Sequence, residues 1–195
     1  MRRTMLCLAR NVFAAGCLSL CFASAASIAQ TTTTKTEWKA DVSKATIPQH
    51  PASGRIHGQK FTVEKVEISS NSPAYFMHIR QGKDFFADKE FEIVLRTRKG
   101  ETLSGKSIMV HPGSAFDQPG VIQEGNVRFP PVQGLSMSYK VPNATLPKEE
   151  TNNSFTLHLQ FGKLHGDRLP GGIYLAMNDK SKSYVAGTFT AVVSK

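Results

Sequence analysis

Four of the chain's six aspartates stand as two spaced pairs. Asp84 and Asp88 flank Phe85-Phe86 in the charged stretch GKDFFADKE, and Asp167 and Asp179 flank the apolar run 172–177. Two carboxylates can hydrolyse a glycosidic bond when they face each other across about 5–5.5 Å or 6.5–9.5 Å. The same four side chains are hard oxygen donors of the kind calcium takes, with backbone carbonyls completing its shell. The plainer alternative is that they serve turns, where Asp bonds its own backbone. His111, Ser114 and Asp117 in HPGSAFD supply the residue types of a hydrolytic triad. A triad needs the base held between acid and hydroxyl, which one short Pro-Gly loop rarely provides, so this stretch reads as a turn. His78 and His158 would share a metal only if their strands were neighbours.

Ligand contact without chemistry is the other use of such residues. Trp38, the only tryptophan, and the Phe85-Phe86 pair offer apolar ring faces for a sugar to stack on. Trp38 could instead dock on the domain and pin the segment that carries it. Lys180 and Lys182 at a predicted hairpin tip, with Lys163 and Arg168 nearby, would make a basic patch; lysine also serves simply to protect strand edges. The chain has no G-x-S-x-G elbow, H-E-x-x-H pair, phosphate-cradling glycine loop or dinucleotide fingerprint. Nor does it carry an aromatic-basic ribbon for nucleic acid, and none is expected as a partner.

The elements that must position these residues are strands. In 169–193, Ile173, Leu175 and Met177 alternate with Tyr174 and Ala176, and after the turn Val185, Phe189, Ala191 and Val193 alternate with Tyr184, Thr188, Thr190 and Val192. Period-two alternation sends one set to a buried face and the other to the opposite face. The same pattern marks Phe91-Ile93-Leu95, Tyr75-Met77-Ile79, Leu135-Met137-Tyr139 and Phe155-Leu157-Leu159-Phe161, with a bulge near Glu64-Lys65 and polar loop over 142–153. About eight strands separated by turn signals, without sustained helical periodicity, predict an all-β fold. The expected form is a single β-sandwich of mostly antiparallel strands, jelly-roll or Ig-like, with the C-terminal hairpin in its core.

Composition gives the address. Arg2, Arg3 and Arg10 precede an apolar run rich in small residues that ends in Ser27-Ile28-Ala29, with Ala23-Ser24-Ala25 an earlier cleavage option. Residues 1–29 read as a secretory signal peptide, 30–53 as a flexible lead-in, and 54–195 as the β domain. The alternative is an uncleaved membrane anchor, for which the run is near the lower length limit. Lipidation at Cys17 is disfavoured because Leu18-Ser19-Leu20 follows where a polar tether belongs. Cys7, Cys17 and Cys21 all fall in the signal, so the mature domain is cysteine-free, with no disulfide or thiolate site. Removing the three arginines leaves 21 basic against 15 acidic residues, a balance of +6 compatible with an acidic polymer outside the cytoplasm. The sequons at Asn143 and Asn152 matter only where the exporting host glycosylates them.

MHIRQGKDFFADKEFEIVL and LPGGIYLAMNDKSKSYVAGTF, through Arg80-Gln81-Gly82, Leu169-Pro170-Gly171, Ile173-Tyr174-Leu175, Lys182-Ser183 and 185–189, resemble a family of uncharacterised secreted bacterial β-sandwich proteins. The resemblance implies an exported β-rich domain and transfers no functional residue. The sequence therefore predicts a periplasmic or extracellular, non-catalytic binding or accessory module with no membrane span after cleavage. Polysaccharide or another envelope polymer is the expected partner, and calcium the one cofactor these residues suggest. The alternatives are a glycan-active hydrolase using Asp84 or Asp88 with Asp167 or Asp179, and a purely structural envelope protein.

Overall fold

Period-two alternation of β-branched and aromatic residues builds almost every element of this chain. The structure, a computed structural model, describes residues 38–42, 45–71 and 73–194. The predicted signal segment, with its three cysteines, and the first lead-in residues lie outside them. The described residues belong to one compact unit. They form β1 (Ser53–Ile56), β2 (Gln59–Thr62), β3 (Lys65–Asn71), β4 (Ala74–Gln81), β5 (Lys89–Arg96) and β6 (Ser107–Val110). After a single 3-10 turn (Ala115–Asp117) come β7 (Ile122–Glu124), β8 (Val127–Phe129), β9 (Val132–Tyr139), β10 (Lys148–Thr151), β11 (Phe155–Phe161), β12 (Arg168–Met177) and β13 (Tyr184–Ser194). No α-helix occurs among the described residues, so none there is long and apolar enough to cross a membrane.

The protein is all-β, but its strands do not divide into two sheets of an eight-strand sandwich. One sheet runs β10-β9-β5-β4-β3-β13-β12-β11-β6, with β1 attached to β13 and β2 to β1, and it curls into a half-barrel. The short β7–β8 pair is a separate second sheet. Every ladder is antiparallel except β13 with β3, where Val192 stands opposite Glu67. The C-terminal hairpin occupies the middle of the path and is the longest pairing, from Arg168 opposite Val192 to Ala176 opposite Tyr184. The bulge predicted near Glu64-Lys65 is a break between β2 and β3. The curl brings strands from both ends of the path onto one core, in which Phe61, Phe91, Ile93, Leu95, Leu159 and Ile173 are wholly buried.

A second, smaller core lies on the other face of the hairpin. Tyr174, Ala176 and Ala186, on the parity opposite to the main core, are buried under Val42, Ala45 and Ile47 of the lead-in. That segment is held by backbone bonds from Thr188 N to His50 O (2.8 Å) and from Ala52 N to Thr188 O (2.9 Å). Gly187 permits this approach. Its φ is 132°, and a side chain there would come 2.7 Å from Ala52 Cα. Trp38 closes the layer, its indole N–H donating to the Met177 carbonyl at 2.8 Å.

Candidate functional site

Strand alternation that buries Phe91, Ile93 and Leu95 necessarily turns Glu90 and Glu92 outward, and on β9 it turns Ser136 and Ser138 outward. Register then sets these groups in rows. Glu90 stands opposite Ser138, and Ser138 opposite Glu149 of β10. Glu92 stands opposite Ser136. Above this floor the β4–β5 loop raises Phe85 and Phe86, and the β9–β10 loop raises Leu146 and Pro147. Together they enclose a groove of about 320 Å³. Phe85 is 88% exposed, and its ring meets Phe86 edge-on at 5.0 Å between centroids. With Leu146 at 62% exposure, the two rings form a contiguous exposed apolar patch instead of a lone exposed side chain.

The loop bearing the two rings is tied down on both sides. Arg80 donates from Nη2 to the Phe85 carbonyl at 2.7 Å. Lys140 pairs with Asp88 at 2.8 Å and Asp84 at 3.1 Å. The backbone adds Asp88 N to Gln81 O (2.8 Å) and Lys140 N to Asp88 O (2.9 Å). The two carboxylates draw the Lys140 ammonium pKa above its ordinary value. Asp84 and Asp88 thus share one lysine supplied by another loop.

The other predicted residues fall elsewhere. Asp179 accepts from Ser183 N (2.6 Å) and Ser183 Oγ (2.9 Å), which fixes the β12–β13 turn. Asp167 lies beside Arg168 at 3.6 Å, at the opposite end of β12. At about 3.3 Å per residue, the strand keeps Asp167 and Asp179 roughly 30 Å apart. Asp167 and Asp179 therefore do not meet, so neither a calcium site built from all four aspartates nor a catalytic Asp167–Asp179 pair is assembled. No group of three or more metal-ligating side chains occurs among the described residues. Ser114 accepts from Phe116 N and caps the 3-10 turn, while Gln118 bonds the His111 backbone, so HPGSAFD is a turn. His78 and His158 lie on β4 and β11, which are not neighbours. Trp38 and Lys182 do come together, with the Lys182 ammonium 5.1 Å from the ring centroid, but neither they nor Lys180 line the groove that holds Phe85 and Phe86.

Beside the groove floor, the outer face of β3–β4–β5 carries an alternating charge network. Lys65 pairs with Glu67 (2.9 Å), Arg80 approaches Glu67 and Glu90 (3.5 Å each), and His78 Nδ1 meets Glu90 Oε1 at 2.7 Å. The Glu90 hydrogen bond raises the His78 pKa above its ordinary 6.5 despite opposing burial. A raised folded-state pKa means that this bond stabilises fully below about pH 6.5 and loses its contribution as pH rises through the folded value. Replacing His78 by Gln should therefore lower Tm by about 2–4 °C near pH 5.5, for a partly screened pair worth about 1 kcal/mol. At alkaline pH, once His78 has lost its proton, that deficit should shrink. Paired thermal melts at the two pH values check this, and an equal deficit at both would contradict it.

Of the groove residues, Phe85 and Phe86 are conspicuous in the sequence; Glu90, Glu92, Glu149, Ser136 and Ser138 are not. The alternation in KEFEIVL does put both glutamates on one face. Nothing local says that β9 and β10 lie beside them. Comparisons with protein-family models, with curated proteins and with solved structures find no match to this chain.

Proposed function

We propose that the protein is an exported, non-catalytic binding module that holds a length of envelope polysaccharide in the groove between the β4–β5 and β9–β10 loops. In this reading the two halves of the curled sheet, packed across one core, do the work of a sandwich. The observation that carries the proposal is the pairing of exposed Phe85 and Phe86 with a floor of carboxylates and hydroxyls. Sugar rings offer an apolar C–H face for an aromatic wall and a rim of hydroxyls for hydrogen bonding. Carboxylates accept such bonds, and serine both accepts and donates. The surface charge of the whole chain argues for acidic polymers, but the charged side chains lining the groove are Glu90, Glu92 and Glu149, of which Glu90 is already paired with His78 and Arg80. The polymer it suits is neutral or amine-bearing, because a polyanion would meet like charge. Export, and the resemblance to secreted bacterial proteins, belong to the same proposal.

The test is retention on immobilised neutral, amine-bearing and acidic polysaccharides. The Phe85→Ala/Phe86→Ala double variant should lose tenfold or more in affinity, the combined worth of two stacking contacts. Its Tm should be unchanged, because exposed rings contribute little to the fold. Equal retention of variant and wild type would end the proposal. The hydrolase alternative gains one observation, three carboxylates on a single floor. It requires release of reducing ends from the retained polymer and loss of that release in Glu92→Gln or Glu149→Gln.

A further inference from the structure

The Trp38 side of the molecule presents a second, chemically different cleft. It has a volume of about 170 Å³ and is lined by Trp38, Asn153, Ser154, Thr156 and Asn178 among others, none of them charged. It shares no residue with the Phe85–Phe86 groove. Its parts come from separate places in the chain: the lead-in, the β10–β11 turn, the start of β11 and the exit of β12. They are fixed to one another. Asn178 N donates to Ser154 O at 2.8 Å, its side-chain amide reaches Ser154 Oγ at 3.4 Å, and Asn152 Oδ1 accepts from Ser154 N at 2.7 Å. The Trp38 ring is held at its edge by the bond to Met177 and faced by the Lys182 ammonium.

One group in this lining is unexplained by the fold. Thr156 is 3% exposed, and its hydroxyl oxygen is buried with no hydrogen-bond partner among the described residues. Native interiors satisfy nearly all such groups, and an orphan among them calls for a cause: a water or ion, stored strain, or the chemistry of a site. An aromatic wall, amide and hydroxyl groups able both to donate and to accept, no lining carboxylate, the Lys182 ammonium over the Trp38 ring as the nearby charge, and room for about one ring define the chemistry. We infer that this cleft is a subsite for a single neutral, hydroxyl-rich sugar unit, with Trp38 as the apolar wall and the Thr156 hydroxyl among its polar contacts. The inference stands apart from the groove, since each can fail alone.

Because Trp38 is the only tryptophan, its emission reports on this cleft and not on the groove. The experiment titrates the full exported chain with glucose, with N-acetylglucosamine and with the β-linked tetrasaccharide of each, following Trp38 emission. A saturable change with at least one of these is expected. Thr156→Val and Asn153→Ala should each weaken it at least tenfold. Thr156→Val removes an unpartnered buried hydroxyl at nearly constant shape, so its Tm should equal or exceed that of wild type. Weaker binding in that variant could then not be laid to unfolding. No saturable change with any of the four sugars overturns the inference. So does a change that both variants reproduce at wild-type affinity. Retention on polysaccharide, compared between Thr156→Val and the same variant carrying Phe85→Ala/Phe86→Ala, reads the groove separately.

Discussion

Gly54→Ala should lower the melting temperature by roughly 10 °C, corresponding to about 3–5 kcal/mol in a domain of this size. Gly54 stands opposite Val185 on β13 and Phe61 on β2. A Cβ there would run into the Tyr184 carbonyl oxygen and lie 2.8 Å from its carbon and 2.9 Å from Val185 Cα. The obstacle is backbone, so no rotamer change relieves it, and β1 must lift away from β13. β2 is joined to the sheet only through β1, so the displacement also uncovers Ile56 and Phe61, both 0% exposed. Overpacking alone costs about 1–3 kcal/mol, and the lost burial adds to it. Gly134→Ala on β9 is the matched control. Its nearest neighbour is Val94 Cγ2 at 3.6 Å, an ordinary contact, and its Tm should move by no more than about 2 °C. Melts of the two variants by circular dichroism decide the matter, and a Gly54→Ala melt as close to wild type as the control would contradict this packing.

Phe91→Ala should cost about 3–5 kcal/mol. Phe91 is 0% exposed, lies between Ile79 and Met137 on the flanking strands, and meets Phe61 edge-on at 5.5 Å. Truncation leaves a cavity in the middle of the curled sheet and removes an aromatic pair worth about 0.5–1.5 kcal/mol beyond its buried area. The adjacent residue should behave oppositely. Glu92→Gln changes an outward side chain on the groove floor, so stability should stay within about 0.5 kcal/mol while affinity for the retained polysaccharide falls several-fold. Denaturant unfolding and retention, measured on both variants, separate the two faces of one strand. A Glu92→Gln variant as unstable as Phe91→Ala would mean that β5 alternates in the other phase.

The elements legible in the sequence are those whose two faces see different surroundings. β5, β9, β11 and the β12–β13 hairpin declare themselves through period-two alternation, and all four are present where that alternation places them. β10 was hidden, because Lys148-Glu149-Glu150-Thr151 is an edge strand with little to bury and its charged residues read as loop. The second core was hidden for the reverse reason. Tyr174 and Ala176 look like the solvent side of a strand, and only the covering lead-in buries them. Strand order is not local at all. No residue in β13 announces a parallel partner in β3, and that ladder is what makes one curled sheet out of two expected halves.

The site followed the same rule. Asp84 and Asp88 are conspicuous by their spacing, yet both pair with one lysine more than fifty residues away, and the rings between them are the apolar part left exposed. The Asp167–Asp179 pairing failed on geometry, since an extended strand carries residues of modest sequence separation to opposite ends of the fold. The Thr156 hydroxyl carried no signal, because an orphaned group is a property of the surrounding lining.

The most direct test of the groove is backbone amide chemical-shift mapping of the isotopically labelled protein against an oligosaccharide of whichever polymer it retains. The account predicts saturable shifts concentrated at Phe85, Phe86, Glu90, Glu92, Ser136, Ser138, Leu146 and Glu149. It also predicts that those shifts vanish in the Phe85→Ala/Phe86→Ala variant. Saturable binding with shifts that spare both loops, or no shift with any neutral or amine-bearing oligosaccharide, would contradict it.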